Sequence, residues 1–324
     1  MTLTRRNLIS AGALLLTGAN VSAQSFDVVK IVNGFAVGGG ADTICRRIAE
    51  RLSHGYATSA VVESRTGAGG QIAVMYAKAA APDGATLLLI PMFALGIYPH
   101  TYKKLGYSPA IDLTPVSLAE TFEYAVAVGP AVPANVTSVP ELMAWFKSNP
   151  SAASVGYPAS GSTAHFIGVV LSRSAAVEIA HVGYRGGQPA LLDMIAGQIP
   201  AVICPIGELT QHLKANKCRV LGLSGATRSR FAPAVATLAE QGYKDLVVKE
   251  WFGIFLPAGA SQDVVVNANK AIRAAVSDPG LSESLTTMGF EPASCSPAEL
   301  TATLKADSAR WGQLVKTIGF SADT

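Results

Sequence analysis

The chain has 324 residues, of which 49% are hydrophobic and 15% are charged, and its formal net charge is +3. This length exceeds the usual single-domain size and predicts two lobes, each with its own core. The nearly neutral balance argues against nucleic-acid binding, which requires a basic stripe. Neither the four cysteines nor the five histidines show a metal-ligand spacing, so we expect no metal and no cofactor.

The first 23 residues have the pattern of a secretory signal. Arg5 and Arg6 precede a short apolar stretch, and Val21-Ser22-Ala23 forms a small-x-small cleavage site. The apolar stretch is too short for a membrane-spanning helix, which needs about 20 residues. We therefore expect export and cleavage near Ala23, and loss of the two arginines would lower the charge from +3 to +1. The twin-arginine and general secretory routes both remain open.

The four cysteines are Cys45, Cys204, Cys218 and Cys295. An exported protein enters an oxidising compartment, where disulfides are permitted, but the sequence alone cannot pair these residues. We expect Cys45 and Cys218 to be free, buried thiols, and a Cys204–Cys218 bridge stays an open alternative.

The residues after the signal segment alternate between strand and helix patterns. Hydrophobic periodicity predicts strands at 28–32, 59–63 and 86–90, and helices at 43–52 and 71–81. This order is typical of a doubly wound α/β fold. In such folds ligands bind beyond the carboxyl ends of the strands.

The same alternation begins again at Tyr124. Further strands are predicted at 124–128, 154–157, 180–184, 201–204, 219–223 and 251–256, and further helices from 138 and at 166–173, 188–196, 262–276, 280–287 and 297–318. We expect an α/β clamshell in which 24–123 plus 251–324 form lobe 1 and 124–250 form lobe 2. The chain would cross between the lobes near 122–124 and 249–252.

A glycine-rich turn, Gly34 to Asp42, connects the first strand to the first helix and contains Gly38-Gly39-Gly40. Glycines allow a close approach of the backbone, and the helix N-terminus behind them presents unpaired N–H groups and a positive dipole end. This turn therefore predicts an anion site. Similar strand-to-helix turns follow at Ser160–His165 and Arg185–Gly187.

Several kinds of enzyme are disfavoured by missing motifs. The turn at Gly38 departs from G-x-G-x-x-G, and there is no P-loop sequence. The nearest approach to a G-x-S-x-G elbow, Gly222 to Ala226, fails at its last position. Ser160, His165 and Asp42 are triad residue types, but a serine and a histidine five apart rarely align. A binding protein is favoured, and an exported hydrolase using Ser160 or Ser162 with His165 is the alternative.

Several motifs in register resemble the Bug/TctC family, the extracytoplasmic solute receptors of tripartite tricarboxylate transporters. The segment Gly34 to Asp42 is similar to the family pattern P-F-P-A-G-G-G-T-D, and Glu63 to Gly70 is similar to E-N-R-P-G-A-G-G. Val182 to Gly186 is similar to V-P-Y-K-G, and Trp251-Phe252-Gly253 is a further match. The resemblance covers essentially the whole chain after the signal segment.

The resemblance implies a periplasmic binding protein with a two-lobe, type II Venus-flytrap fold and no enzymatic activity. It implies a small carboxylate ligand held in the cleft between the lobes, a monomeric receptor, and delivery to a membrane permease pair. No nucleic-acid partner is implied. An orphan receptor that senses a ligand for a membrane signalling protein stays a second class of function.

The resemblance also implies ligand-binding positions. By position these are Phe35, Val37, Gly38, Gly39 and Asp42 in the first turn, Ser160, Gly161, Ser162, Thr163 and His165 in the second, and Tyr184 in the third. Because a carboxylate repels an anionic ligand, Asp42 is expected to cap the helix or to orient a water, and a purely structural cap is equally open. His165 is either a donor to the ligand or a packed neighbour of the site.

Departures from the family pattern bear on the ligand. Met92 and Phe93 stand where the family commonly has small polar residues, and Cys204 stands where it often has aspartate. We count all three among the expected pocket residues. They make the pocket more apolar, so we hypothesise a ligand with one carboxylate and a less polar or aromatic remainder, rather than citrate.

Overall fold

The computed structural model describes residues 26–53 and 55–321. The predicted signal segment and its cleavage site lie outside the described residues. The strands are β1 (Phe26–Asn33), β2 (Ala57–Ser64), β3 (Thr86–Pro91), β4 (Leu113–Phe122), β5 (Tyr124–Val128), β6 (Ser154–Tyr157), β7 (Ala180–Gly183), β8 (Ala201–Pro205), β9 (Arg219–Leu223), β10 (Glu250–Pro257) and β11 (Glu291–Pro292).

The α-helices are α1 (Gly40–Leu52), α2 (Gln71–Lys78), α3 (Met92–Gly96), α4 (Tyr98–Thr101), α5 (Pro109–Asp112), α6 (Val139–Ser148), α7 (Thr163–Ala175), α8 (Gly187–Ile195), α9 (Ile206–Lys214), α10 (Gln262–Val276), α11 (Pro279–Thr287) and α12 (Pro297–Ile318). Short 3₁₀ turns lie at Ala68–Gly70, Pro150–Ala152 and Lys244–Leu246.

The strands form two sheets, each flanked by helices. The first sheet has six strands in the order β11-β4-β10-β3-β1-β2, and the second has five in the order β7-β6-β8-β5-β9. Strand β1 runs parallel to β2 and β3, whereas β10 is antiparallel to both β3 and β4. In the second sheet β6 is parallel to β7 and β8, and β5 is antiparallel to β8 and β9. The α/β prediction is confirmed, with mixed sheets.

Strand β4 and helix α9 are among the strands and α-helices that the sequence did not predict; the short elements α3, α4, α5 and β11 are the others. Strand β4 contains Pro115, Ser117 and Glu120, and these polar or strand-breaking residues obscure its pattern, although Ser117 and Glu120 are fully buried. Helix α9 has only two buried residues, Ile206 and Leu209, so its apolar face is too short to produce a clear helical period.

The chain crosses between the sheets at Glu123 and again before Glu250. Buried Ser224, just after β9, ties the two crossings together. Its Oγ accepts a hydrogen bond from the Tyr124 N–H at 2.9 Å and donates one to the Val248 carbonyl at 2.7 Å. Its backbone pairs with the same two residues. These four hydrogen bonds hold the two crossing segments next to each other, and the lobe boundaries stay a prediction.

All four cysteines lie in the described part of the chain and are free thiols, so the structure contains no Cys204–Cys218 bridge. Cys45, Cys204 and Cys218 are buried, and Cys295 is half-buried. Among the described residues, no helix has the length and apolar character needed to cross a membrane.

The first testable prediction concerns the contacts of Ser224 with the two crossing segments. Ser224→Ala would leave the buried Tyr124 N–H and Val248 carbonyl without their side-chain partner. We expect the free energy of unfolding to fall by about 1–3 kcal/mol in urea titration. The control is Ser174→Ala, at an exposed position on α7, which should change stability by less than about 0.5 kcal/mol. Equal effects of the two substitutions would contradict this role of Ser224.

Candidate ligand-binding site

The first side of the cleft is the glycine turn that leads into α1. Gly38 has φ +82°, a conformation that glycine adopts without strain. Asp42 is almost completely buried, and its Oδ2 accepts hydrogen bonds from the Gly38 N–H at 3.0 Å and from the Arg46 Nε at 2.8 Å. The carboxylate of Asp42 therefore stabilises the turn, and the charge of Arg46 balances it. The N-cap, Gly39, has no side chain, so the N-cap residue itself does not occupy the first N–H groups of α1.

The second side of the cleft is the turn that leads into α8. A Cβ built on Gly186 would lie only 3.6 Å from the backbone nitrogen of Ala36 in the first turn. The N-termini of α1 and α8 thus face each other across the cleft. Between them lies a small cavity of about 30 Å³, which we call the aromatic pocket. It is lined by Phe35, Ala36, Gly39, Gly40, Ala41, Phe93, Phe122, Tyr124, Pro158, Gly186, Gly187, Gln188, Pro205, Glu208 and Phe252.

Five aromatic residues form the wall that gives this pocket its name. Phe35 packs edge-to-face against Phe93 and Phe252, with ring centroids 6.1 and 6.3 Å apart. Phe122 lies 5.5 Å from Phe252 and 5.4 Å from Tyr124. The sequence predicted Phe35 and Phe93 as pocket residues. The other three, Phe122, Tyr124 and Phe252, lie on the segments that cross between the lobes. The predicted crossings near 122–124 and 249–252 were the one signal in the sequence that could have indicated them.

Glu208, on α9, is the pocket residue that the sequence did not predict. The residue as a whole is half-buried, but its Oε2 is buried and has no hydrogen-bond partner. A Cβ on Gly187 would lie 2.0 Å from Oε2, and a Cβ on Gly40 would lie 3.4 Å from Oε1. Burial raises the pKa of Glu208 to about 7, and a hydrogen bond from the Gly40 N–H opposes that rise. Among the described residues lining the aromatic pocket, Glu208 alone is charged.

Glu208 also lines a second and larger cavity of about 220 Å³, which we call the polar cavity. Its lining comes from both lobes and consists of Gly38, Gly39, Gly40, Thr43, Gln188, Gly207, Glu208, Thr210, Gln211, His212, Lys214, Thr287, Met288 and Phe290. The carboxyl of Glu208 therefore lies between an apolar pocket and a polar one.

The turn at Ser160–His165 is occupied by protein groups. Ser162 caps α7 by accepting the His165 N–H, and the Thr163 Oγ1 donates to Glu250 Oε2 at 2.5 Å. Glu250, at the start of β10, also accepts hydrogen bonds from the Phe93 N–H and the Tyr124 hydroxyl. Glu250 thus links the N-terminus of α7 to that of α3. Burial raises its pKa to about 8, and these hydrogen bonds oppose the rise.

His165 is packed inside lobe 2. Its ring stacks on Tyr157 with centroids 4.4 Å apart, and its Nδ1 accepts the Gly161 N–H at 3.0 Å. Burial, with a smaller contribution from His181, lowers the pKa of His165 to about 3, so the ring is neutral. Because Nδ1 accepts this N–H, the neutral ring carries its proton on Nε2, so neither ring nitrogen is free to take the proton of a serine hydroxyl, which argues against a serine–histidine pair here.

Most of the other expected site residues do not line the aromatic pocket. The side chain of Val37 is 66% exposed, and the Tyr184 hydroxyl donates to Asp193 at 2.9 Å. Met92 and Cys204 are fully buried. Of the expected residues, Phe35, Gly39 and Phe93 line the aromatic pocket. The remaining ones do not, namely Val37, Gly38, Asp42, Met92, Ser160, Gly161, Ser162, Thr163, His165, Tyr184 and Cys204. A role for any of these residues in ligand binding stays a prediction.

Comparison with models of protein families identifies the family of this chain. The model for the tripartite tricarboxylate transporter family receptor, TctC, matches residues 44–320. The chain belongs to this family. TctC receptors are periplasmic solute-binding proteins, so the resemblance read from the glycine turns is confirmed. Within the described residues no group of three histidine, cysteine, aspartate or glutamate side chains could hold a metal ion.

Individual relatives agree with this placement. A UPF0065 protein from the tcbD–tcbE intergenic region of Pseudomonas sp. strain P51 is 31% identical, over 96% of this chain and 94% of the relative. The structure of R. palustris Rpa4515 with adipate is 30% identical, with a TM-score of 0.85, and covers 90% of this chain and 97% of that one. MatC from Rhodopseudomonas palustris, solved with bound malate, is 26% identical, with a TM-score of 0.82 and coverages of 89% and 98%.

These similarities confirm the two-lobe periplasmic-binding-protein fold. The family and its structural neighbours are binding proteins and not enzymes, so the chain is not expected to turn over a substrate. The hydrolase alternative with Ser160 or Ser162 is thereby set aside.

The buried carboxyl of Glu250 predicts a pH dependence. Its pKa is about 8 in the folded protein and has its ordinary value of 4.5 in the unfolded chain. The folded state therefore binds the proton more tightly. The contribution to stability is complete below about pH 4.5 and is lost as the pH rises towards 8, by up to about 1.4 kcal/mol per pH unit.

Glu250→Gln cannot titrate, so the stability difference between the wild type and this variant should shrink from about pH 5 to about pH 8. Urea titrations across this range measure the difference. The control is Glu283→Gln on the exposed face of α11, which should show no such trend. A difference between the wild type and Glu250→Gln that stays constant with pH would contradict the raised pKa.

Proposed function

We propose that this protein is the periplasmic receptor of a tripartite tricarboxylate transporter. It captures a small carboxylate in the cleft between its lobes and delivers it to the membrane permease pair. The observation that carries the proposal is the close opposition of the α1 and α8 N-termini, each of which begins at a glycine. Two positive helix ends acting on one point favour an anion there.

The binding energy would come mainly from the backbone. The described lining of the aromatic pocket includes no lysine or arginine that could neutralise a ligand carboxylate. Each helix end stabilises an anion by roughly 0.3–2 kcal/mol, and water bridges add contacts that tolerate ligands of different shapes. The carboxylates bound to Rpa4515 and MatC, adipate and malate, support this ligand class.

The aromatic pocket is too small for such a ligand as the lobes now stand. Its volume of about 30 Å³ holds about two waters, since one water needs about 10–15 Å³. We infer that the lobes separate about the two crossings to admit the ligand and close on it as a clamshell. The aromatic wall favours a ligand with one carboxylate and an apolar or aromatic remainder.

The remaining expectations belong to the same proposal. The lobes would comprise 24–123 plus 251–324 and 124–250, the signal segment would be cleaved near Ala23, and the mature receptor would act as a monomer. Phe35, Gly39 and Phe93 are the expected residues whose position supports ligand contact. The residues of the Ser160–His165 turn could reach the ligand only in another arrangement of the lobes.

A thermal-shift screen of carboxylic acids tests the proposal. Adipate, malate, citrate and aromatic and aliphatic monocarboxylates would be compared at equal concentration. A ligand at 100 times its Kd stabilises the folded state by about 2.7 kcal/mol. We expect stabilisation by at least one monocarboxylate and a smaller effect of citrate. Stabilisation by citrate with none from the monocarboxylates would contradict the ligand hypothesis, and no response to any carboxylate would contradict the function.

A substitution in the cleft tests whether the ligand binds there. Gln188, at the start of α8, lines both cavities, and Gln188→Trp would fill the cleft without entering either lobe's core. We expect this variant to unfold at nearly the same temperature as the wild type and to lose the ligand-induced shift. Leu192→Trp, at an exposed position of α8 outside both cavities, is the matched control and should retain the shift. A shift retained in Gln188→Trp would place the ligand elsewhere.

A further inference from the structure

The carboxyl group of Glu208 occupies the place that the proposed function assigns to the ligand. One of its oxygens accepts the Gly40 N–H at the start of α1, and the other, Oε2, lies 2.0 Å from where a Cβ of Gly187 would stand at the start of α8 and has no hydrogen-bond partner. These two residues are the first of their helices, so their N–H groups are the donors that an incoming carboxylate would use. The chain thus carries a carboxyl at its own anion site.

The surroundings of Glu208 cannot neutralise a second carboxylate. The titratable groups that face it are the buried carboxyl of Glu120 on β4, the thiol of Cys204 on β8 and the phenol of Tyr124 on β5. Glu120 also lacks any hydrogen-bond partner for its two oxygens. A ligand carboxylate placed beside Glu208 would therefore add a further acidic group next to these acidic neighbours, at an electrostatic cost.

We propose that Glu208 is an internal competitor of the ligand: its carboxyl lies at the carboxylate position between α1 and α8, and a ligand must displace it. This inference rests on the proposed function and makes Glu208 a residue that sets ligand affinity and selectivity. A ligand binds only if its remainder contributes enough contact in the aromatic pocket to offset the displacement.

The polar cavity provides the place to which the side chain moves. Glu208 lines this cavity as well, and His212 lies one helical turn further along α9, at the i, i+4 spacing that brings side chains together. Lys214 lines the same cavity. A change of rotamer takes the carboxyl away from the two helix N-termini and towards these basic groups.

The competition can be measured with acetate, the smallest probe with the relevant chemistry. In ¹⁵N-labelled protein the Gly40 and Gly187 amide resonances would be followed during an acetate titration. We expect the midpoint of the shift to be at least tenfold lower in Glu208→Ala than in the wild type. Glu208→Gln, which fills the same space without charge, should give a midpoint between those of the wild type and Glu208→Ala. Glu283→Gln is the surface control and should behave as the wild type.

A second measurement is made on the wild-type protein, so its result does not depend on whether the Glu208→Ala variant folds. The side-chain carboxyl carbon of Glu208, assigned by its loss in Glu208→Gln, should shift in the wild type as acetate is added. Equal midpoints in the wild type and Glu208→Ala, or a Glu208 carbon that does not respond, would overturn the proposal. A Glu208→Gln midpoint as low as that of Glu208→Ala would also overturn it, because repulsion alone would then explain the effect.

The thermal-shift screen, repeated with Glu208→Ala, distinguishes a failure of the proposed function from a failure of this inference. If an acid from the thermal-shift screen stabilises the wild type and Glu208→Ala equally, the competition is refuted and the receptor function stands. If no acid stabilises either protein, the receptor function itself is refuted.

Discussion

The arrangement of the cleft depends on how closely two helix N-termini can approach each other. Helices α1 and α8 begin at Gly40 and Gly187, and a side chain at Gly187 would collide with the Glu208 carboxyl. The first residue of each helix therefore has no side chain of its own between its N–H group and the cleft, and the carboxyl of Glu208 can approach both. Because both helix ends carry partial positive charge, the cleft attracts an anion without a lysine or arginine among the described residues of the aromatic pocket.

Two buried carboxyl groups join the lobes at such helix ends. Glu208 reaches α1 from α9, and Glu250 connects the N-termini of α3 and α7. Burial raises the pKa of both groups, because the N–H and O–H donors do not fully replace the lost hydration. Breaking a buried ion pair costs about 3–5 kcal/mol, whereas a carboxyl group that can take up a proton separates more easily. Connections of this kind suit lobes that have to open and close.

The sequence predicted the alternation of strands and helices, the glycine turn at Gly38 and the aromatic residues Phe35 and Phe93. It did not predict β4 or α9, and Glu208 was missed together with its helix. Three strand-to-helix turns had similar small residues, and the sequence could not indicate which one meets α1. Which turn meets α1 depends on the position of β6 and β7 in the second sheet. This position is set by contacts between residues far apart in the chain.

The aromatic wall connects ligand shape to the angle between the lobes. Its rings pack against one another at 5.4 to 6.3 Å, so no single ring can move aside to enlarge a pocket of about 30 Å³. Phe122 and Phe252 lie next to the crossings, and therefore the wall changes shape when the lobes rotate. Under the proposed function, the remainder of the ligand would decide how far the lobes can close, and this in turn would decide whether both helix ends reach its carboxylate. Selectivity for the apolar part and affinity for the charged part are consequently set by one movement.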